Sequence, residues 1–193
     1  FRQWFIEEAE EQSEKQLQLG DLIESVSITH KFPYENVIFL NTSDILSGDV
    51  LVHESVNINT LPGQAKKTIQ KDDILFSEIR PANGRYAYID FDADNYVVST
   101  KLMVLRSKNI ISQAFIYFYL INPQTVEWLQ MLAESRSGTF PQITFEQLRN
   151  LKINIPSDSI LKESVEWCES ALQKIKSNTN QIRTLTQLRD TLL

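Results

Sequence analysis

Arg80, Asn83 and Arg85 flank a turn marked by Asn83-Gly84. Arginine pairs bidentately with guanine edges and asparagine with adenine edges, so the trio has the chemistry of a base-reading loop. A second loop, Arg136-Ser137-Gly138-Thr139, offers a cation, two hydroxyls and a flexible backbone, a set suited to phosphate oxygens. The plain alternative for Arg80 and Arg85 is a solvated ion pair with Asp72, Asp73 or Asp90, which contributes little. Lys66-Lys67 reads as a solvated loop, with phosphate contact as its second reading. Asp73 with Glu78-Ile79-Arg80 superficially suggests the carboxylates of a nuclease, but such sites want a lysine where Arg80 stands. His30 and His53 have no nucleophile motif beside them and read as surface histidines. Cys168, the only cysteine, falls on an apolar stripe and reads as core. One cysteine excludes a disulfide framework and a cysteine-based zinc site. No catalytic set emerges, and a metal-dependent hydrolase is disfavoured.

The elements that must position these residues fall into three stretches. Phe1 to about Leu17 reads as helix, with Phe1, Trp4 and Phe5 at i, i+3, i+4 spacing and a solvated glutamate-rich run behind them. Gly20 breaks that pattern. From Leu22 to about Arg106, short β-branched and aromatic runs alternate with turn signals. Val37–Leu40, Asp49–Val52, Asp73–Phe76, Tyr86–Ile89 and Val97–Thr100 read as strands of a mixed, curled sheet. Ile111–Ile121 and Pro123 to about Arg136 read as helices, the second packed through Val126, Leu129, Met131 and Leu132. Thr144 and Gln147 have capping-box spacing. Leu151–Ile155 alternates as a strand and stops at Pro156.

The tail is the clearest element. Leu161, Val165, Cys168, Leu172 and Ile175 recur at alternating spacings of four and three, and the register continues to Leu193. A helix of about 35 residues is roughly 50 Å long, more than a compact domain of this size covers. A long heptad stripe therefore implies a coiled-coil partner. The fold class expected is α+β: a globular mixed-sheet domain with short helices, plus a long projecting C-terminal helix that pairs in a coiled-coil-like arm.

Composition bounds the partners. The chain has 193 residues, 42% hydrophobic and 23% charged, with a net charge of −6. That balance argues against a uniformly basic nucleic-acid binder. Residues 60–110, however, carry eight basic and six acidic side chains and are the only net-positive stretch. Phosphate binding needs a local basic face, not a basic whole. No apolar run is long enough for a membrane span, and the start shows no signal-peptide pattern. A cytoplasmic protein with no membrane partner is expected. Because the chain starts at Phe1 rather than methionine, a trimmed fragment is also expected.

Several segments, in shared order, resemble the specificity subunit of type I restriction–modification enzymes. Lys71-Asp72-Asp73-Ile74-Leu75-Phe76-Ser77-Glu78-Ile79-Arg80-Pro81 is similar to that family's "gDILfSkiRp" segment, and Val97–Thr100 through Val104-Leu105-Arg106 to the strand after it. Gly138-Thr139-Phe140-Pro141-Gln142-Ile143, with Leu148 and Ile153-Asn154-Ile155-Pro156, resembles its closing segment. Leu185–Leu193 resembles the "L..LRD.LL" stretch of its spacer helix, and Phe1–Phe5 the "lFxxWF" that follows in such a helix. The resemblance implies residues 1–17 as the end of a spacer helix, 18–156 as a target recognition domain and 157–193 as the next spacer helix. It implies half a subunit, either cut from a longer chain or a half-length form that dimerises.

In that family one domain reads half of a split DNA site, and the helices set the spacing and bind methyltransferase subunits. The resemblance therefore implies a non-catalytic DNA-recognition subunit without its own cofactor. S-adenosylmethionine and ATP are expected in the partners. Those partners are double-stranded DNA, methyltransferase subunits, restriction/translocase subunits, and a second recognition domain or a homodimer mate. The candidate DNA contacts are Arg80, Asn83, Arg85, Lys101, Arg136, Ser137, Gly138, Thr139 and Gln142. The candidate helix interface is Trp4, Phe5, Leu172, Ile175, Ile182 and Leu185. The competing reading is a coiled-coil scaffold with a β-rich domain for a small ligand or peptide, its pocket lined by Tyr86, Tyr88 and Tyr96.

Overall fold

Two uninterrupted apolar runs, Ile74-Leu75-Phe76 and Leu102-Met103-Val104-Leu105, form the two central strands of one sheet. Such runs are what a strand buried on both faces requires. The structure, a computed structural model, describes residues 15–136 and 138–192. In chain order its elements are β1 (Lys15–Gln18), α1 (Leu19–Leu22), β2 (Ile23–Val26), β3 (Asn36–Leu40), β4 (Ile45–Leu46), β5 (Asp49–Val50), β6 (Val56–Asn57) and β7 (Ala65–Thr68). There follow β8 (Ile74–Ser77), β9 (Tyr86–Tyr88), β10 (Tyr96–Ser99), β11 (Leu102–Ser107), α2 (Gln113–Leu120), α3 (Pro123–Arg136), α4 (Phe145–Leu148), β12 (Lys152–Ile155) and α5 (Asp158–Leu192). The architecture is α+β.

The chain forms two units. One is Gln16–Ile153; the other runs from Asn154 through α5 and takes in Lys15. In the first unit the strand orders are β6-β3-β10-β7 and β2-β11-β8-β9, with the two-stranded sheet β4-β5 beside them. Register sorts the side chains of the second large sheet. Val104 lies opposite Leu75 and Val26, and Leu75 opposite Ala87. These four join Ile38, Leu40, Tyr96 and Val98 of the first sheet in one buried cluster. Leu105 lies opposite Ile74 and Met103 opposite Phe76, on the other face. Tyr86 and Tyr88, paired with Phe76 and Ile74, stand on that face too, and their rings meet Tyr117 of α2 at 6.3 and 5.5 Å. On the far side of the first sheet, Val37, Ala65 and Val97 are covered by Phe32, Ile58 and Leu61.

An ion pair with a buried carboxylate stands at one edge of this core. Arg106 holds Asp73 in a fork: Nε donates to Oδ1 at 2.8 Å and Nη2 to Oδ2 at 2.9 Å. Asp73 also accepts the Gln70 amide at 2.9 Å, and its side chain is only 1% exposed. Hydrogen bonding to Asp73 raises the Arg106 pKa further. This occupancy overturns the nuclease-like aspect of Asp73. It also overturns the expected pairing of that carboxylate with Arg80 or Arg85.

Other expectations need correction. Lys15–Leu17 belongs to strand β1 and not to a helix, and the rest of the Phe1–Leu17 reading lies outside the described residues. Gly20 is not a break but a member of α1. A Cβ there would meet Arg149 Cβ at 2.8 Å, and the Gly20 amide donates to the Arg149 carbonyl at 2.8 Å. Met131 is 59% exposed; α3 buries Thr125, Leu129 and Ala133 instead, a strict i+4 row. Lys67 does not sit in a solvated loop: it is in β7 and buried. The expected Thr144–Gln147 cap forms, with Gln147 Oε1 accepting the Thr144 amide at 2.9 Å.

The second unit is dominated by α5, 35 residues long. Its buried residues are Ser164 and Cys168, one turn apart. Leu172 is half-buried, and beyond it Ile175, Ile182 and Leu185 are 50%, 64% and 65% exposed. Trp4 and Phe5, the other proposed interface residues, lie outside the described residues. No described helix is long and apolar enough to cross a membrane.

Removing one partner of a buried, hydrogen-bonded ion pair leaves an uncompensated charge. Arg106→Ala, which strands the Asp73 carboxylate at 1% exposure, is therefore expected to lose about 3 kcal/mol of stability in urea unfolding, by a shift in midpoint without a change in slope. Burial pushes the Cys168 thiol up to about 12. Iodoacetamide at pH 8 should leave the folded chain unlabelled and label it once urea unfolds it.

Candidate nucleic-acid interface

β8 ends at Ser77, and the chain must then satisfy the backbone groups of residues 78–80 away from the sheet. Ser77 Oγ accepts the Ile79 amide at 3.0 Å. The Glu78 amide donates to the Lys101 carbonyl at 3.0 Å, and the Glu78 carbonyl accepts the Ile143 amide at 2.8 Å. Ile79 bridges Gln142, and the Arg80 amide donates to the Pro141 carbonyl at 3.1 Å. Three stretches far apart in sequence, 78–80, 99–101 and 139–143, are thus laced together by main-chain bonds.

Side chains converge on the same place. Lys101 Nζ donates to Gln142 Oε1 at 3.1 Å and lies 3.4 Å from Glu78 Oε2. Arg80 Nη2 donates to the Thr139 carbonyl at 3.4 Å. Arg80 itself has φ of +43°, a left-handed conformation unusual for a side-chain-bearing residue, and caps the 3-10 turn Pro81–Asn83. Asn83 is exposed on that turn. Gln130 of α3 accepts the Ala82 amide at 3.1 Å, tying the turn to the helix that ends in the exposed Arg136. Arg80, Lys101, Thr139 and Gln142 are therefore brought together. Gly138 faces open space, and Ser137 lies outside the described residues.

Arg85 is different. Its Nη1 donates to the carbonyls of Ser43 and Ile45 at 3.1 and 3.0 Å, so it braces the 42–46 segment. Neither Arg80 nor Arg85 makes the ion pair expected as the plain alternative; both donate to main-chain carbonyls.

Two residues here were hidden from sequence reasoning. Lys67 Nζ donates to the carbonyls of Thr100 and Leu102 at 3.1 and 2.7 Å. Burial lowers its pKa, with Glu78 opposing that shift and Lys101 adding to it. Ser99, fully buried, accepts the Lys101 amide on its Oγ at 3.2 Å. The signal in the sequence is slight: it is the strand alternation of Ala65-Lys66-Lys67-Thr68, which leaves Lys66 exposed and takes Lys67 inside.

A cleft of about 540 Å³ opens elsewhere on the unit, lined by Asp72, Asp73, Arg106, Asn109, Ile110 and Gln113 among others. Several of its polar groups are already engaged: Arg106 with Asp73 inside the cleft, Asp72 with Tyr88, and Gln113 with the Leu105 carbonyl. The tyrosines of the competing ligand-pocket reading are split. Tyr86 and Tyr88 pack on Tyr117, whereas Tyr96 packs on Phe91 and hydrogen-bonds His53 at 2.8 Å. Among the described residues, no group of three or more His, Cys, Asp or Glu side chains could hold a metal ion.

A family model described as the type I restriction modification DNA specificity domain matches residues 14–187. The chain is 46% identical over 180 residues to the type I restriction enzyme HindI specificity subunit of Haemophilus influenzae, covering 92% of this chain and 39% of that relative. It therefore spans well under half the length of that curated relative. Among solved structures, the HsdS subunit from Thermoanaerobacter tengcongensis superposes with a TM-score of 0.65 at 20% identity, over 91% of this chain and 44% of that one. A chain from a structural account of type I R-M complex assembly and conformational transition gives 0.66 at 19% identity, over 91% and 44%. At these identities the structural likenesses speak for the fold.

The bonding separates the two turn arginines. Arg85→Ala should lower stability by about 1.5 kcal/mol, because the part-buried Ile45 carbonyl and the exposed Ser43 carbonyl lose a charged donor. Arg80→Ala should stay within about 0.5 kcal/mol of the parent, as exposed substitutions do. Thermal unfolding of the two variants side by side checks this.

Proposed function

The chain belongs to the family of type I restriction modification DNA specificity domains, and from that premise we propose that it reads one half of a bipartite DNA site without catalysing a reaction itself. The observation that carries the reading is the convergence of Arg80, Lys101, Thr139 and Gln142, through backbone pairing, on one face of the β-rich unit. On that face Arg80 and Gln142 have the side chains for guanine and adenine edges. Lys101, Arg136, Ser137, Gly138 and Thr139 suit phosphates, and Asn83 reaches out from the adjoining turn. Arg85 takes part only indirectly, by bracing the 42–46 segment.

The same reading assigns residues 18–156 as the target recognition domain, with residues 1–17 and 157–193 as parts of spacer helices. The apolar stripe of α5 at Leu172, Ile175, Ile182 and Leu185, with Trp4 and Phe5, would meet a second helix and methyltransferase subunits. The exposure of the last three stripe residues supports a surface awaiting a partner. The second half-site would be read by another recognition domain or by a homodimer mate. S-adenosylmethionine and ATP would be bound by the methyltransferase and restriction/translocase partners, in the cytoplasm.

DNA affinity from phosphate neutralisation falls linearly on a log–log plot against salt, because counterions are released. A duplex selected from a random pool should bind the chain with a steep salt slope. Neutralising Arg80, Lys101 and Arg136 together should flatten that slope by about 2 to 3. Equal binding by parent and neutralised variant at every salt concentration would sink the proposal.

A further inference from the structure

Lys101 is a candidate DNA contact whose main chain is pinned on both sides, partly by a buried ammonium. The peptide unit before its Cα is held at both ends: Lys67 Nζ takes the Thr100 carbonyl at 3.1 Å, and Ser99 Oγ takes the Lys101 amide at 3.2 Å. The peptide unit after it is held by the Glu78 amide, which donates to the Lys101 carbonyl at 3.0 Å. Lys67 then reaches on to the Leu102 carbonyl at 2.7 Å. Two peptide planes held in place fix the two soft backbone torsions between them. Fixing those torsions fixes the direction in which the Lys101 side chain leaves the backbone.

Such a brace is not needed to close the sheets. Residues 100–101 form a turn between β10 and β11, a place where chains ordinarily solvate their carbonyls. Here the Leu102 and Thr100 carbonyls are met instead by an ammonium on a residue only 9% exposed. Burying a charge is costly unless it is fully hydrogen-bonded. The Lys101–Glu78 pair is partly exposed, 43% and 24%. It is therefore worth little as an ion pair, and its effect is to aim the side chain.

We infer that Lys67 is a positioning residue for DNA reading: it clamps the turn that presents Lys101, and so sets the geometry of the Lys101–Gln142 pair toward the duplex. The inference rests on the DNA-reading assignment of this face. Lys67 itself is buried beneath the turn and touches no DNA. It acts through Lys101, so its contribution must vanish when Lys101 is gone.

A double-mutant cycle with the full chain and a selected duplex tests this. Lys67→Met keeps the aliphatic stem and removes the ammonium; Lys67→Gln keeps an uncharged N–H2 donor group on a shorter stem. Each is combined with Lys101→Ala, and binding is read at one salt concentration where unfolding curves show all variants folded. Lys67→Met should weaken binding roughly five- to tenfold in the parent, and have no effect in the Lys101→Ala background, the non-additivity of coupled neighbours. A residue that merely stabilised the fold would cost the same factor in both backgrounds, and that result would overturn the inference. Failure of both Lys67 variants to fold would assign the side chain to stability and overturn it equally. If Lys101→Ala leaves duplex binding unchanged, the DNA-reading assignment of Lys101 fails. If Lys101→Ala weakens binding while Lys67→Met does not, only the positioning role fails.

Discussion

The two backbone groups of Glu78 hold the candidate face together. Its amide bonds the Lys101 carbonyl and its carbonyl accepts the Ile143 amide, so one residue joins the turn after β10 to the segment after α3. Both bonds exist because β8 runs out at Ser77 while the chain is still close to the core, where an unpaired amide or carbonyl is costly. Everything proposed for DNA reading follows from that closure. Arg80 leaves the pairing in a left-handed turn, and Gln142 stands opposite Ile79. Lys101 is close enough to reach both Glu78 and Gln142. Without the main-chain lacing these side chains would sit on three independent loops, and each would lose its own conformational entropy on meeting a partner.

Pattern carries some parts of such a molecule well and others hardly at all. Ile74–Phe76 and the Val37–Leu40 run are legible because uninterrupted apolar residues between turn signals leave strand as the economical reading. The long stripe of α5 is legible for the same reason at a different period. Choice of polar partner is not legible. Asp73 and Arg106 are 33 residues apart, and nothing local says that they meet in a fork while Arg80 and Arg85 turn to carbonyls. Lys67 is hard to read because lysine pairs are usually solvated, and only its place in the alternation of β7 takes one of the two inside. Met131 was misplaced because α3 buries a narrow row of small and aliphatic residues, which the apolar count along the helix does not distinguish.

The overall charge of −6 and a DNA-facing role are compatible because the relevant field is local. At the ionic strength of a cell, exposed charges more than about 8 Å apart are largely screened. The acidic excess of residues 20–59 therefore matters to this face only where it comes near it. The carboxylate that does stand at this face is Glu78, from the net-positive stretch, 3.4 Å from Lys101 and 24% exposed. A carboxylate so placed lowers the positive potential slightly but directs the ammonium, which trades attraction for geometry. That trade favours selectivity over raw affinity, since side chains held in place discriminate between base edges better than mobile ones.

The two units meet different physical demands. Gln16–Ile153 buries apolar residues on both faces of two sheets and can hold polar groups in fixed places. The helix α5 buries Ser164 and Cys168 near its start and then exposes Ile175, Ile182, Leu185, Leu188 and Leu192. Intrinsic propensity alone leaves an isolated helix marginal in water, and most helical stability comes from packing an apolar face. An exposed stripe at heptad-like spacing over several turns therefore lowers the free energy of the chain only when something covers it. In the proposed assignment that cover is a second helix, and pairing would add more than stability. A helix rises a fixed 1.5 Å per residue, so once both of its faces are engaged its length becomes a distance. A domain that reads half of a split site needs that distance as much as it needs Arg80 and Gln142, because two half-sites bound through a rigid link gain affinity only when the link matches their separation.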